Sequence, residues 1–220
     1  MVIKVCGLTK PGEAEYLNRN HVDFAGIVLF YPKSRRNNTI RNAKEIIKNL
    51  DSSIQKVAVV VSPLPEQIRE IEQAGFDYVQ VHGELSKEVL EEISLPVLRA
   101  FNVKDMNLYE SYHSCKKVAG YVFDALEPGS GKTFDWNLVK TLPKDEKLLF
   151  LAGGLHAGNV AEAIRAIQPD GVDVSSGVER EDGQGKDLAK IELFVNAVRN
   201  VKKISKSAKN ADKEILKLHI

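Results

Sequence analysis

Two residues of this chain join a reactive side chain to a setting that suits proton transfer. Cys6 ends the run Ile3–Cys6 and precedes Gly7-Leu8-Thr9. A thiol there serves as a general base or nucleophile when nearby dipoles or cations favour the thiolate; it serves equally well as a small buried apolar residue. Asp124 directly follows the apolar run Val118–Phe123. Partial desolvation raises a carboxyl pKa and suits the group to donate a proton, whereas capping the next segment is the plainer use of an Asp at such a point. Arg35 and Arg36 offer planar forks to a carboxylate or phosphate, although Arg35 reads better as part of an exposed basic loop. His82 can orient a ligand or be a satisfied structural histidine. His21, His113, His156 and His219 show no metal spacing, and Trp136 reads as an anchor for a short helix. Gly129-Ser130-Gly131, Gly153-Gly154 and Ser175-Ser176-Gly177 each allow backbone amides to approach an anion.

These groups need a scaffold that brings residues from across the chain to one place. Apolar runs predict strands at Ile3–Cys6, Phe24–Phe30, Lys56–Val61, Tyr78–Val81, Val97–Ala100, Val118–Phe123, Leu148–Leu151 and Gly171–Val174. Stretches such as Val57-Ala58-Val59-Val60-Val61 lack in–out alternation, as expected of parallel strands covered on both faces. Helical periodicity lies between them. Pro63–Ala74 sets Leu64, Ile68 and Ile71 on one face, and Ala157–Ile167 does the same with Val160, Ala163, Ile164 and Ile167. Eight strand–helix units of about 25 residues favour a single closed (β/α)8 barrel over an open doubly wound sheet. In such a barrel the candidate residues, all just after strands, gather at the carboxyl-end mouth. Glycine clusters after strands seven and eight match the usual barrel phosphate site. A phosphorylated small molecule is therefore the expected ligand class.

Composition narrows the function further. The chain has 220 residues, with 31 Lys and Arg facing 30 Asp and Glu for a net charge of +1. A general nucleic-acid binder would carry a marked basic excess. No apolar run approaches the about 18 residues of a membrane span, and the amino terminus turns polar too early for a secretory signal. Two cysteines, Cys6 and Cys115, exclude a disulfide framework and point to the reducing cytoplasm. The barrel is expected over residues 1–203, with 204–220 a Lys-rich tail that extends the last helix or frays.

Six motifs, in order, resemble the phosphoribosylanthranilate isomerase family. They are Lys4–Thr9, Phe30–Arg36, Val79–Gly83, Gly129–Trp136, Ala152–Leu155 and Val172–Glu179. The resemblance runs from Lys4 to about Val198. It implies a ribulose-phosphate-binding barrel catalysing an Amadori rearrangement without metal or organic cofactor, as a monomer or homodimer. It implies Asp124 as the general acid that protonates the furanose ring oxygen and Cys6 as the base that takes the proton from the second sugar carbon. By the same resemblance Arg36 grips the anthranilate carboxylate, and Gln80, His82 and Asp173 are candidate substrate contacts. Gly129, Ser130, Gly131, Gly153, Gly154, Ser176 and Gly177 are candidate phosphate-binding residues. Cys6 at the end of strand one favours this substrate over that of the histidine-pathway isomerase, whose chemistry relies on two aspartates. The chain departs from the family at Pro128, at Arg35, and at Asn37 and Asn38, where a more apolar continuation is usual.

Overall fold

The computed structural model describes residues 1–102, 105, 108–124, 136, 139 and 146–201. Within them all eight expected strands form: β1 Val2–Cys6, β2 Phe24–Leu29, β3 Gln55–Val61, β4 Tyr78–His82, β5 Val97–Phe101, β6 Val118–Phe123, β7 Leu148–Leu151 and β8 Gly171–Val174. Each pairs in parallel with its sequence neighbour, and β1 pairs with both β2 and β8, so the sheet closes on itself. The closing register sets Lys4 beside Asp173 on one side and Phe24 on the other. A two-residue strand, Asn37–Asn38, extends the sheet beside Val28 and Leu29. β2 stops at Leu29 because Phe30 turns to a φ of +55°, which breaks the extended ladder.

Between the strands lie α1 Ala14–Arg19, α2 Ile40–Asn49, α3 Pro65–Glu72, α4 Lys87–Glu92, α5 Tyr109–His113 and α6 Val160–Ile167. A last helix covers 188–201. α3 is shorter than Pro63–Ala74 because Pro65 occupies its first turn behind Leu64, the position where a missing N–H costs nothing. α6 begins at Val160 rather than Ala157. Asn159 folds back instead, accepting from the His156 amide at 2.8 Å and donating to the Gly154 carbonyl at 3.0 Å. Residues 204–220 lie outside the described residues.

Two layers of apolar packing result. The larger joins the outer strand faces to the helices and includes Ile27, Leu29, Val60, Ile68, Ile71, Phe101 and Phe194. The smaller fills the barrel with Phe24, Val57, Val59, Leu98, Ala100, Val122, Phe150 and Ala152. Phe24 meets Phe150 edge-on at 5.5 Å and Tyr78 at 5.3 Å, so aromatic rings plug the amino-terminal end. Burying such a side chain stabilises by roughly 1.5–3 kcal/mol. Side chains alternate along a strand, so the inward positions above this plug are Lys4 and Cys6 on β1, Gln80 and His82 on β4, and Asp173 on β8. The barrel interior is thus apolar at one end and polar at the end where the strands finish.

Candidate active site

The polar end opens into a cavity of about 490 Å³ whose lining includes Cys6, Arg36, Gln80, His82, Asp124, Gly153, Gly154, Asp173 and Ser176. Every candidate substrate contact and both proton-transfer candidates of the sequence reading meet there. Gly177, next to Ser176, is not part of that lining; a β-carbon on it would stand 2.0 Å from the Leu155 carbonyl oxygen. Gly129, Ser130 and Gly131 fall outside the described residues. Trp136 is half-buried and packs against the outer core, as an anchor would.

Cys6 and Asp124 face the cavity from β1 and from the end of β6. Both are half-buried. The Asp124 amide donates to the Phe101 carbonyl at 2.9 Å, so its backbone is held by the neighbouring strand. Beneath Cys6 lies Gly26. A methyl group on Gly26 would stand 2.8 Å from Cys6 Sγ and 3.1 Å from Lys4 Nζ; only the bare glycine lets the thiol and ammonium settle over β2. Burial, with the Asp173 carboxylate adding to it, holds the Cys6 thiol above its ordinary range against the opposing pull of Lys4 and Lys186.

Arg36 enters the cavity from the loop after β2. Its Nε donates to Glu179 Oε1 at 2.5 Å, and Arg35 pairs with the other oxygen of the same carboxylate. Arg36 Nη2 is buried without a partner among the described residues. A buried unmet donor is expensive unless a ligand takes it. Burial would raise the Glu179 carboxyl, but the hydrogen bond from Arg36 and the charge of Lys186 hold it below the usual carboxylate range. Lys186 Nζ reaches Glu179 at 3.3 Å and the Ser175 carbonyl at 3.1 Å. Its backbone amide donates to Glu13 Oε1 at 2.7 Å, and the other Glu13 oxygen accepts from the Thr9 amide at 2.7 Å. Glu13 therefore ties the loop after β1 to the loop after β8.

The two asparagines that interrupt the family pattern have structural work. Asn37 Oδ1 accepts from the Tyr31 amide at 2.8 Å. Buried Asn38 donates to the carbonyls of Leu8 and Arg36, both at 2.9 Å, and accepts from Asn42 at 2.6 Å. An apolar residue there could not join the loops after β1 and β2.

Gln80 and His82 form a second polar group. Their side-chain nitrogens lie 2.8 Å apart. Burial, then the charges of Lys4 and Arg99, lower the His82 pKa from 6.5 to about 3, so the imidazole is neutral near pH 7. A neutral ring accepting from Gln80 at Nε2 carries its proton on Nδ1. Gln80 Oε1 and Asp173 Oδ1 are then buried acceptors without partners among the described residues, and both line the cavity. Gly153 and Gly154 turn the chain after β7 with φ of +81° and +62°, leaving the backbone bare beside Ser176.

Lys4, Glu179 and Lys186 are the site residues that composition and motif alone leave without a role. For Lys4 a signal exists: a lysine two residues before Cys6 on an inward-facing strand shares its face. For Lys186 no local signal exists, because its position depends on a loop.

A closed parallel barrel with its polar groups collected at the carboxyl ends of the strands belongs to the class of (β/α)8 barrel enzymes. The family model for N-(5'phosphoribosyl)anthranilate (PRA) isomerase matches residues 3–197, and the chain belongs to that family. It is 39% identical to N-(5'-phosphoribosyl)anthranilate isomerase of Listeria welshimeri over 206 residues, covering 91% of this chain and 100% of the relative. The crystal structure of phosphoribosyl anthranilate isomerase from Thermotoga maritima superposes with a TM-score of 0.80 at 32% identity, covering 91% of this chain and 100% of the other. A phosphoribosyl anthranilate isomerase in complex with reduced 1-(o-carboxyphenylamino)-1-deoxyribulose 5-phosphate is similar at a TM-score of 0.77 and 32% identity, with coverage of 91% and 100%.

Proposed function

We infer that this chain converts N-(5'-phosphoribosyl)anthranilate into 1-(2-carboxyphenylamino)-1-deoxyribulose 5-phosphate, the isomerase step of tryptophan biosynthesis. The observation that carries this reading is one cavity holding Cys6, Asp124 and the unpartnered edge of Arg36 together. Asp124 gives a proton to the furanose ring oxygen as the bond from that oxygen to the first sugar carbon breaks. The anthranilate nitrogen supplies its lone pair and becomes an iminium. Cys6 then removes the proton from the second sugar carbon; those electrons form the carbon–carbon double bond and return the other pair to nitrogen. The resulting enolamine loses its hydroxyl proton and gains one at the first carbon, giving the ketone with no net gain or loss of protons. The iminium is itself the electron sink.

Arg36 is the partner we assign to the anthranilate carboxylate, since it lines the cavity, Glu179 holds its Nε edge, and Nη2 is left without a partner among the described residues. Gly153, Gly154, Ser176 and Gly177, with Gly129, Ser130 and Gly131, are the proposed phosphate cradle, supported by the bare turn after β7 and by its place after strands seven and eight. Gln80 and Asp173 offer acceptors to the amine and sugar hydroxyls, and His82 offers its Nδ1–H. The reaction is assigned to the cytoplasm, which suits the free thiols of Cys6 and Cys115, and to a monomer or homodimer. Among the described residues no helix is long and apolar enough to cross a membrane.

The test is direct. Phosphoribosylanthranilate is generated in place from anthranilate and a ribose phosphate donor, and its fluorescence is followed after the protein is added, with product identified by mass. Wild type should convert it, while folded Cys6→Ala and Asp124→Asn should not. No conversion by folded wild type would discard the substrate; turnover by either variant would discard that residue's role.

A further inference from the structure

Cys6 presents a difficulty that Lys4 resolves. A general base must be at least partly deprotonated, yet burial favours the neutral thiol. The groups facing Cys6 come from several elements. Lys4 shares its strand and face. Asp173 comes from β8, His82 from β4, Arg36 from the loop after β2, Lys186 with Glu179 from the loop after β8, and Asp124 from β6. His82 is neutral, Arg36 is committed to Glu179, Lys186 is shared with Glu179 and Ser175, and the Asp173 carboxylate itself disfavours the thiolate, by less than Lys4 favours it.

Lys4 is placed differently. It is wholly buried at 0% exposure and its Nζ donates to Asp173 Oδ2 at 2.8 Å. The same ammonium and the Cys6 sulfur crowd together over Gly26. An ammonium carries three donors, so the bond to Asp173 leaves donors for the thiolate and keeps the cation aimed at it. Burial alone would favour the neutral amine, but Asp173 and Cys6 hold Lys4 above the usual lysine range.

We propose that Lys4, anchored by Asp173, is a positioning residue that stabilises the Cys6 thiolate and so makes it a competent base. The role deepens the isomerase reading and rests on it only for its catalytic consequence. Cys6 reactivity itself needs no substrate, so the two claims fail separately.

The test measures iodoacetamide alkylation of Cys6 against pH by mass spectrometry, in a Cys115→Ser background. Lys4→Met alone strands a buried carboxylate and Asp173→Asn alone removes the anchor, so the protein with the pair intact is compared with the double variant Lys4→Met/Asp173→Asn, which removes both charges. At pH 7.5 the double variant should alkylate at least about tenfold more slowly than the protein with the intact pair, with the rate recovering at higher pH. A merely structural role would not move this profile. Identical profiles would overturn the proposal whatever the isomerase assay shows. On the unaltered site, NMR with labelled cysteine and lysine gives a second reading. The Lys4 ammonium and Cys6 carbon signals should shift in step as the thiol titrates; independent curves would also overturn the proposal.

Discussion

Arg36 and Glu179 are joined edge to edge across 143 residues of sequence, guanidinium Nε to carboxylate Oε1 at 2.5 Å. The carboxylate is 6% exposed and the arginine 13%, so solvent screens the pair little. A charge-assisted hydrogen bond of this kind contributes about 1.5–3 kcal/mol. Here it holds the plane of the guanidinium as well as stabilising the loop. Glu179→Gln should therefore raise KM for phosphoribosylanthranilate about tenfold while kcat stays within about threefold, as steady-state kinetics would show. An unchanged KM would mean that Arg36 orients itself without the carboxylate.

Arg36→Ala should weaken substrate binding chiefly through the anthranilate carboxylate. Affinities for a substrate analogue and its decarboxylated counterpart, compared by calorimetry, separate this from general damage. The variant should lose most of the difference between the two ligands, and an equal loss for both would refute the assignment.

His82 makes folding sensitive to acid. Its folded pKa of about 3 lies below the ordinary 6.5, so between these values the unfolded chain binds the proton and the folded chain does not. Stability from this group is complete above about pH 6.5 and drains away as pH falls toward 3. His82→Gln should flatten the dependence: urea midpoints at pH 7 and pH 4.5 should lie closer together in the variant than in wild type. Parallel loss in both would show that the imidazole does not carry the effect.

Asn38→Leu removes two donors that span two loops and leaves the Leu8 and Arg36 carbonyls short of partners. The expected loss is about 2–4 kcal/mol of unfolding free energy, measured in urea, accompanied by a higher KM because the Arg36 loop loses its tie. A stability change below about 0.5 kcal/mol would show that water replaces both bonds.

Gly26→Ala tests the floor under the thiol. A β-carbon 2.8 Å from Sγ forces Cys6 or Lys4 to move, at an overpacking cost of about 1–3 kcal/mol. The stability loss should come with at least about a tenfold fall in kcat. Full turnover would mean the thiol tolerates displacement.

The strands were legible because both of their faces are covered, which leaves unbroken β-branched runs such as Val57–Val61. Their order around the barrel then placed Cys6, Asp124, Gly153, Gly154 and Asp173 at one end. Bounds slipped where a side chain or a backbone turn intervened: Asn159 delayed α6, and the φ of Phe30 shortened β2. The electrostatic frame of the site was not legible in the same way. A lysine in a strand announces that something must neutralise it, but Asp173 stands 169 residues away and only the closing register identifies it. Glu179 sits inside a motif that suggests phosphate, yet its carboxylate serves the arginines. Asn38 looked like a weakness of the family pattern because its value lies in bonds to another loop.

The pairing of β1 with β8 also sets an order of events during synthesis. The strand bearing Cys6 is made first, and its second neighbour is made last. Until Gly171–Val174 emerges, Lys4 has no carboxylate beside it, and its ammonium must keep its water. The barrel cannot draw that charge inward early, because ordering so distant a contact comes late and slowly in folding. A nascent chain that ends before Asp173 therefore carries the thiol on an open edge, wet and unassisted. Closure of the cylinder is the moment at which the first strand gains its second neighbour and Lys4 its carboxylate, so the seam of the scaffold and the charge pair inside it are completed together.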